Sequence, residues 1–378
     1  MNRRGMARMI MAAGLLVMSC LDPYTPPNSG LPASFVVVDG LIDVTNDKAT
    51  VKLTRSVSLT DLKEYPAVTG ATVRLKDSNG AVLNLSEGDP GVYTVSHNFD
   101  LALEYQLSFR NSGKDYESDP IRLISNTPIS KLDWSADDTR LQVGVSSFDP
   151  GEGPRYYRYA MEETHQYRAT FGSSYKFVGS QPVFRFDAAD NITKCWRTDP
   201  VASIVLNTTE GLAENKVEGF PVLQIEKGDR KLWHDYSVLV SQIPLDKDAF
   251  DYWTQLAKVS QSLGGLFDPI PFSVRGNIHG VTNPDEKVLG YFSGGEVSSA
   301  RLRVKSDLLP DGYILFPTGP CEENYIDVSK VGTIAGQGVN LTRANYLFIV
   351  IIGYFYSTPA CTDCRLEGGK NFPPPFMD

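Results

Sequence analysis

Short runs of β-favouring residues separated by turn residues are the feature that most restricts how this chain can fold. Val, Ile, Thr, Tyr and Phe recur in these runs along most of the sequence, and Gly, Asn, Asp and Pro stand between them. β-Branched and aromatic side chains favour strands, whereas the intervening residues favour turns. Only residues 246–263 repeat their apolar side chains at helical spacing. The pattern therefore predicts a mainly β fold with one long helix at about 246–263.

The predicted helix has recognisable signals at both ends. Asp246 can cap its first turn, and Leu245 and Phe250 have the spacing of a hydrophobic staple. Gly264 and Gly265 follow the last apolar residue, and glycine adopts the left-handed conformation of a C-terminal cap without steric cost. The residues expected on its apolar face are Phe250, Trp253, Leu256, Ala257 and Leu263.

The strand pattern divides into two parts joined by a short linker at residues 125–128. Residues 34–125 contain short strands with turn signals between them, which predicts an N-terminal β-sandwich. Residues 129–378 predict a larger β-rich domain that carries the helix. Within it, the apolar run from Asn345 to Tyr356 predicts a central strand buried on both faces.

The first 19 residues have the pattern of a bacterial export signal. Three arginines precede a short apolar run, Met9 to Met18, that is too brief to span a bilayer. Val17-Met18-Ser19-Cys20 resembles a lipobox, so residues 1–19 are predicted to be a lipoprotein signal peptide and Cys20 the lipidated residue. The alternative is an ordinary secretory signal with a chance cysteine. Residues 20–33 are rich in proline and predict a tether.

Charge excludes one large class of partner. The formal net charge is −9 and the pI is about 5.1, whereas nucleic acid binding requires a basic face. An acidic chain also gains nothing from an anionic membrane surface, so the N-terminal lipid is expected to be the membrane attachment.

Five cysteines are present, and four remain if Cys20 carries lipid. An even number in an exported protein predicts disulfides, and three connectivities are possible. Cys361-Thr-Asp-Cys364 taken alone could indicate zinc or redox chemistry. A zinc site requires a second Cys or His pair, and a thioredoxin-like site requires a surrounding βαβ pattern; neither is found, so no metal is expected. The disulfide candidates are Cys195, Cys321, Cys361 and Cys364.

No catalytic motif or cofactor fingerprint is found in the sequence. His279 is the one histidine that could act as a base, provided that Asp268 or Glu286 orients it; the alternative is a hydrogen-bonded histidine in a turn. Acidic pairs at 137–138 and 162–163 do not form a calcium loop. A tyrosine-rich stretch could form a binding surface or could simply pack in strands, and it contains Tyr156, Tyr157, Tyr159, Tyr167 and Tyr175.

Several segments resemble known bacterial proteins. Residues 70–94 resemble the immunoglobulin-like or carboxypeptidase-regulatory-like modules of bacterial surface proteins, which space and orient rather than catalyse. Nearly all of the mature chain resembles the Bacteroidetes lipoprotein family called domain of unknown function 4249. The segments that carry this resemblance are 37–42, 194–196, 265–279, 288–292, 361–364 and 368–376, with the signature residues Gly265, Asp268, Pro269, Pro271, Arg275, Gly276, Asn277 and His279.

The family resemblance implies a partner and a location. Its members look like accessory lipoproteins encoded beside TonB-dependent outer-membrane receptors, and no catalytic residues carry over. We therefore expect a non-enzymatic, lipid-anchored outer-membrane protein that binds a ligand or assists such a receptor in nutrient uptake. Asp22 follows Cys20 closely, which favours the cell surface over the periplasmic face. The alternatives are a surface hydrolase acting on peptide or glycan and a structural or adhesive lipoprotein. The sequence does not identify the ligand.

Overall fold

The computed structural model describes residues 35–56, 66–151, 153–261, 274–315 and 319–377. The predicted signal peptide, Cys20 and the tether lie outside the described residues. So do part of the signature block and the predicted end of the helix: Leu263, Gly264, Gly265, Asp268, Pro269 and Pro271.

The prediction of a mainly β protein is confirmed. The first eight strands are β1 Val36–Asp43, β2 Lys48–Arg55, β3 Thr72–Asp77, β4 Val82–Glu87, β5 Val92–Ser96, β6 Glu104–Asn111, β7 Lys114–Ser118 and β8 Ile121–Arg122. The next nine are β9 Ile129–Ala136, β10 Arg140–Asp149, β11 Tyr156–Arg168, β12 Tyr175–Val178, β13 Gln181–Phe184, β14 Lys194–Pro200, β15 Val205–Thr208, β16 Asn215–Glu226 and β17 Tyr236–Leu245. The last six are β18 Ile278–Gly280, β19 Val288–Gly295, β20 Ser298–Val304, β21 Asn324–Asp327, β22 Asn340–Leu347 and β23 Val350–Ser357.

The N-terminal sandwich consists of β1–β8 together with β18 and β19. Its strands follow the order β18-β7-β6-β3-β4-β5-β2-β1-β19, with β8 beside β6. Alternate residues of β1, β2 and β6 point inward, as a half-buried strand requires. Strand β19 lies parallel to β1, with Gly290 opposite Val38. Strands β18 and β19 therefore complete a sandwich whose first strand begins at Val36, about 240 residues before Ile278.

The long helix, α1, covers Lys247–Gln261. The Asp246 carboxylate accepts a hydrogen bond from the Ala249 amide at 2.7 Å, so the predicted N-cap is confirmed. Leu245 and Phe250 lie in the same apolar cluster, as the staple predicts. The helix packs against β11, β17 and β19 and thereby connects the N-terminal sandwich to the second part of the chain.

Two sheets form the middle of the molecule. One has the order β16-β10-β9, and the other has the order β14-β11-β17-β20, with β15 also paired to β11. Their shared core contains Leu141, Val143, Tyr157, Val238 and Val240, all fully buried. Strand β14 is an edge of the second sheet, which leaves one side of its backbone available to another segment.

The C-terminal sheet, β13-β12-β22-β23-β21, differs from the prediction. The predicted central strand at 345–356 is wrong, because the chain reverses within it. Leu347 pairs with Val350, and the two turn residues between them, Phe348 and Ile349, are 94% and 93% exposed. An apolar run is typical of a buried strand, so its composition concealed the turn. A second short helix, α2, covers Pro359–Thr362.

Among the described residues, no helix combines the length and apolarity required to cross a membrane.

Candidate functional site

The C-terminal tail, residues 364–377, is fastened beside the edge strand β14. The structure pairs Cys195 with Cys364 and Cys321 with Cys361, at Cα–Cα distances of 5.8 and 5.7 Å. The predicted disulfides are therefore present, in one of the three connectivities. The cysteines of Cys361-Thr-Asp-Cys364 belong to different bridges, so this segment is neither a metal nor a redox pair.

Hydrogen bonds hold the tail at further points. The Trp196 amide donates to the Lys370 carbonyl at 2.8 Å, and the Lys370 amide donates back at 2.9 Å. Tyr167 donates its hydroxyl to the Cys364 carbonyl at 2.8 Å. Arg230 binds both carboxylate oxygens of Glu367, at 2.7 and 2.9 Å. The tail thus adds a short pairing to the edge of β14 and is fixed on both sides of it.

Three consecutive prolines then end this pairing. Residues 373–375 have no amide hydrogen and a fixed φ, so they cannot continue a ladder with β14. The tail separates from the strand at this point and leaves a cleft of about 740 Å³. This volume lies in the range of small-molecule sites. The cleft is lined by Glu162, Trp196, Arg197, Thr198, Asp199, Glu367, Gly368, Lys370, Phe372, Pro373, Pro374, Pro375 and Phe376.

Aromatic rings form the apolar walls of the cleft. Trp196 is buried and directly follows Cys195 in the chain, and Lys194 lies 4.9 Å from its ring centre. Phe372 is largely exposed, whereas Phe376 lies against Arg301, whose guanidinium carbon is 3.6 Å from the ring centre. Aromatic faces of this kind stack on apolar or sugar rings of a ligand.

The three carboxylates of the cleft each form an ion pair with an arginine of the cleft or next to it. Arg197 donates to Asp199 at 2.9 Å, and this hydrogen bond and the charge of Asp199 raise the pKa of Arg197. Glu162 lies 3.8 Å from Arg301, whose pKa is lowered by burial. The third carboxylate, Glu367, is held by Arg230.

The same ion pairs bear on whether the cleft could catalyse hydrolysis. A glycosidase needs one carboxyl group that remains protonated and a second that is free to act on the substrate. Each cleft carboxylate instead forms an ion pair with an arginine. Among the described residues, the lining contains no histidine, serine or cysteine. The arrangement can bind an amphipathic molecule between aromatic faces and alternating charges.

The signature residues lie elsewhere and have structural roles. Asn277 donates to the Phe292 carbonyl at 2.7 Å and accepts from the Phe292 amide at 2.9 Å, so its side chain replaces a neighbouring strand. A Cβ on Gly276 would collide with the Gly290 carbonyl, and a Cβ on Gly290 would collide with Val38. This part of the signature fastens β19 to the N-terminal sandwich.

The other two described signature residues line a second cavity of about 830 Å³. Arg275 is exposed, and His279 lies 3.8 Å from Asp119 with more than half of its side chain exposed. Glu286 does not orient His279. It accepts hydrogen bonds from Lys114 and Tyr116, which outweigh the effect of burial and lower the pKa of Glu286. Within the described part of the chain, the carboxylate next to His279 is the exposed Asp119 and not a buried one of the kind that orients a catalytic base; Asp268 lies outside the described residues.

The tyrosine-rich stretch is mostly core. Tyr157, Tyr159 and Tyr167 are buried, whereas Tyr156 and Tyr175 are partly exposed. The sequence did not predict the cleft because its walls come from segments far apart in the chain. Strands β11 and β14 form one side, and the tail forms the other; Cys195 in β14 and Cys364 in the tail are 169 residues apart. The available signal was the proline run next to a cysteine-containing tail.

Comparison with protein families matches residues 21–301 to the family described as Domain of unknown function (DUF4249). No curated protein matches the chain significantly. Among solved structures, a segment of two fibronectin type III domains from chicken tenascin is similar at 10% identity. That match covers 55% of this chain and 90% of the tenascin segment, with a TM-score of 0.14, which is too low to establish a common fold. The family match includes every strand of the N-terminal sandwich and helix α1, and it covers most of the sequence; the chain therefore belongs to the DUF4249 family.

Proposed function

We propose that this chain is a non-enzymatic, lipid-anchored outer-membrane protein that binds a ligand at the cell surface and works with a TonB-dependent receptor in nutrient uptake. The lipid anchor follows from the lipobox-like sequence at Cys20, and the receptor follows from the family resemblance. The cleft beside the C-terminal tail is the ligand site in this proposal.

The geometry of the cleft is the single observation that carries the binding function. Its rings and ion pairs are held by a disulfide and by hydrogen bonds on both sides, so the site is formed before a ligand arrives. Preorganisation reduces the entropy lost on binding. We propose a ligand of a few hundred daltons with one flat apolar or sugar face and polar edges.

A ligand screen tests the binding function directly. The mature chain would be titrated with sugar and peptide libraries, with intrinsic tryptophan fluorescence as the signal because Trp196 lines the cleft. For any ligand found, Phe372→Ala should weaken binding about tenfold, which is about 1.4 kcal/mol. Phe186→Ala is the matched control, because Phe186 is also highly exposed but lies outside the cleft. Equal losses in both variants would argue against the cleft.

The receptor partnership requires a separate experiment. An epitope placed in the exposed turn at Ser78 and Asn79 leaves the tail intact, unlike a tag at the C-terminus. Gentle detergent extraction and mass spectrometry should then recover a TonB-dependent receptor in stoichiometric amount. Recovery of the protein alone would remove the receptor from the proposal. Release of sugar or amino acid from the same libraries would instead support the hydrolase alternative.

A further inference from the structure

We propose that the hairpin tip, residues 346–350 between β22 and β23, inserts shallowly into the lipid surface to which the protein is anchored. The proposal adds a second membrane contact to the proposed function and rests on it only for the presence of the N-terminal lipid. The sequence of the tip is Tyr-Leu-Phe-Ile-Val.

Exposure of the hairpin tip is the first observation. All five of its residues are exposed, and Phe348 and Ile349 project with 94% and 93% of their surface accessible. Large apolar side chains are placed on a protruding turn instead of in the C-terminal sheet's core. Contiguous exposed apolar residues of this kind are typical of contact with a membrane or a partner.

The turn is also built from residues that a turn does not favour. Leu347 pairs with Val350 and leaves a two-residue loop, for which glycine and asparagine are strongly preferred. Phe348 has φ of 55°, in the left-handed region. The other described non-glycine residues with positive φ are Asp47 and Ser112, both small and polar. A strained aromatic residue at an exposed tip indicates that its side chain is needed there.

The distribution of charge favours lipid. The chain has a net charge of −9, yet no residue from Ala344 to Thr362 is charged. Asn345 lies about 10 Å from the tip at the usual rise of a strand, which matches the depth to which interfacial segments enter a bilayer. Tyr346 is placed just behind the apolar residues, at the level where aromatic residues meet lipid headgroups. Arg343, paired with Glu323 at 3.0 Å, comes next and stays in water.

A second exposed aromatic residue lies in the C-terminal sheet, set back from the tip. Strands β13 and β22 both pair antiparallel with β12, so they run in the same direction. Phe184 and Leu341 both lie opposite Tyr175, so Phe186 is level with about Arg343, behind Phe348, and it is 87% exposed. Ring contacts connect the two sites, since Phe186 packs on Phe184, Phe184 on Tyr175, and the Tyr175 hydroxyl lies 3.0 Å from that of Tyr346.

The chain between the anchor and the fold is long enough for this contact. Fourteen residues separate Cys20 from Phe35, and fully extended they span at most about 50 Å. A folded chain of this size has a radius of gyration of about 20 Å. The lipid therefore leaves any face free to meet the membrane. A narrow uncharged tip suits a bilayer better than a protein, whose docking surface would need a polar rim with hydrogen-bonding groups.

Vesicle binding tests the proposal without the lipid. The mature chain with Cys20→Ser would be floated with vesicles of phosphatidylethanolamine and phosphatidylglycerol. Phe348→Ser with Ile349→Ser should lower the partition coefficient about 100-fold, at about tenfold for each large apolar side chain removed. Val82→Ser with Leu308→Ser is the matched control, because both residues are exposed but lie far from the tip in sequence. This control should leave the partition coefficient unchanged.

Insertion depth gives a second readout that does not depend on affinity. In the lipidated chain bound to the same vesicles, Ile349→Trp should be quenched by brominated lipid, whereas Leu308→Trp should not. Equal partition of the two double variants, or no quenching at position 349, would overturn the proposal. Loss of a copurifying protein from the Phe348→Ser, Ile349→Ser variant without any change in vesicle binding would do so as well and would assign the tip to that protein. Ligand binding in the cleft is measured independently, so failure of the proposed function stays distinguishable.

Discussion

The N-terminal sandwich and the C-terminal sheet solve the problem of stability in different ways. The sandwich has a large continuous core that includes Val51, Leu53, Leu75, Leu107 and Phe292, and its strands contain no cysteine. Among the described residues, the core cluster of the C-terminal sheet has four buried members: Val331, Ile334, Leu341 and Tyr354. Both disulfides lie in or next to this second region.

The difference shows how the C-terminal region can expose its apolar residues. A sheet with little buried area gains little from the hydrophobic effect, and cross-links compensate by restricting the unfolded chain. The rings of the cleft and the hairpin tip are then free to contact other molecules. The sandwich uses nearly all its large side chains for its own core. We expect four effects that follow this contrast, from the largest to the smallest.

Removal of the longer disulfide should have the largest effect. Cys195→Ser with Cys364→Ser opens a loop of 169 residues and should lower the free energy of unfolding by about 5 kcal/mol in the chain-entropy account. Hydrogen exchange followed by mass spectrometry should rise in β21–β23 and the tail while β1–β6 stay protected. Cys321→Ser with Cys361→Ser, which opens a loop of 40, is the control and should cost about 1 kcal/mol less. Equal exchange in both regions would contradict the contrast.

Truncation of the sandwich core should come second. Phe292 is fully buried in β19, so Phe292→Ala should lower the free energy of unfolding in urea by about 4 kcal/mol. Phe355 in β23 is only half-buried, and Phe355→Ala should cost about 1 kcal/mol. A larger loss for Phe355→Ala would show that the C-terminal sheet depends on burial after all.

The third effect concerns Asn277, whose side chain makes the hydrogen bonds that a neighbouring strand would otherwise make to Phe292. Asn277→Ala leaves the buried Phe292 amide and carbonyl without their partners and should cost about 2 kcal/mol, measured by urea unfolding. His279→Ala is the control two residues away, on an exposed side chain, and should change stability by less than about 0.5 kcal/mol. A comparable loss in both variants would refute the structural role of Asn277.

The sequence predicted the elements whose signals are local. Asp246 caps α1 because its contact with Ala249 is three residues away, and the alternating burial of β1 and β2 follows from a period of two. It could not predict features that join distant segments. The cleft depends on pairing between Trp196 and Lys370, and the sandwich depends on β1 meeting β19. The hairpin tip was not predicted for another reason. Phe348 and Ile349 are residue types that favour strands, but they occupy the turn.

The smallest effect depends on pH and involves His165 in β11. Burial, and then the positive charge of Lys231, lower the pKa of His165 below its usual 6.5, with Arg197 acting in the same direction and Asp199 and Glu163 against it. Because the unfolded chain binds the proton more readily, the neutral histidine contributes stability above about pH 6.5 that is lost as the pH falls below that value. His165→Gln should therefore flatten the change in unfolding free energy between about pH 7.5 and about pH 5, measured in urea. An unaltered slope in His165→Gln would mean that other groups cause the acid sensitivity of the middle sheet. The side chain of His165 would then be less buried than the structure shows.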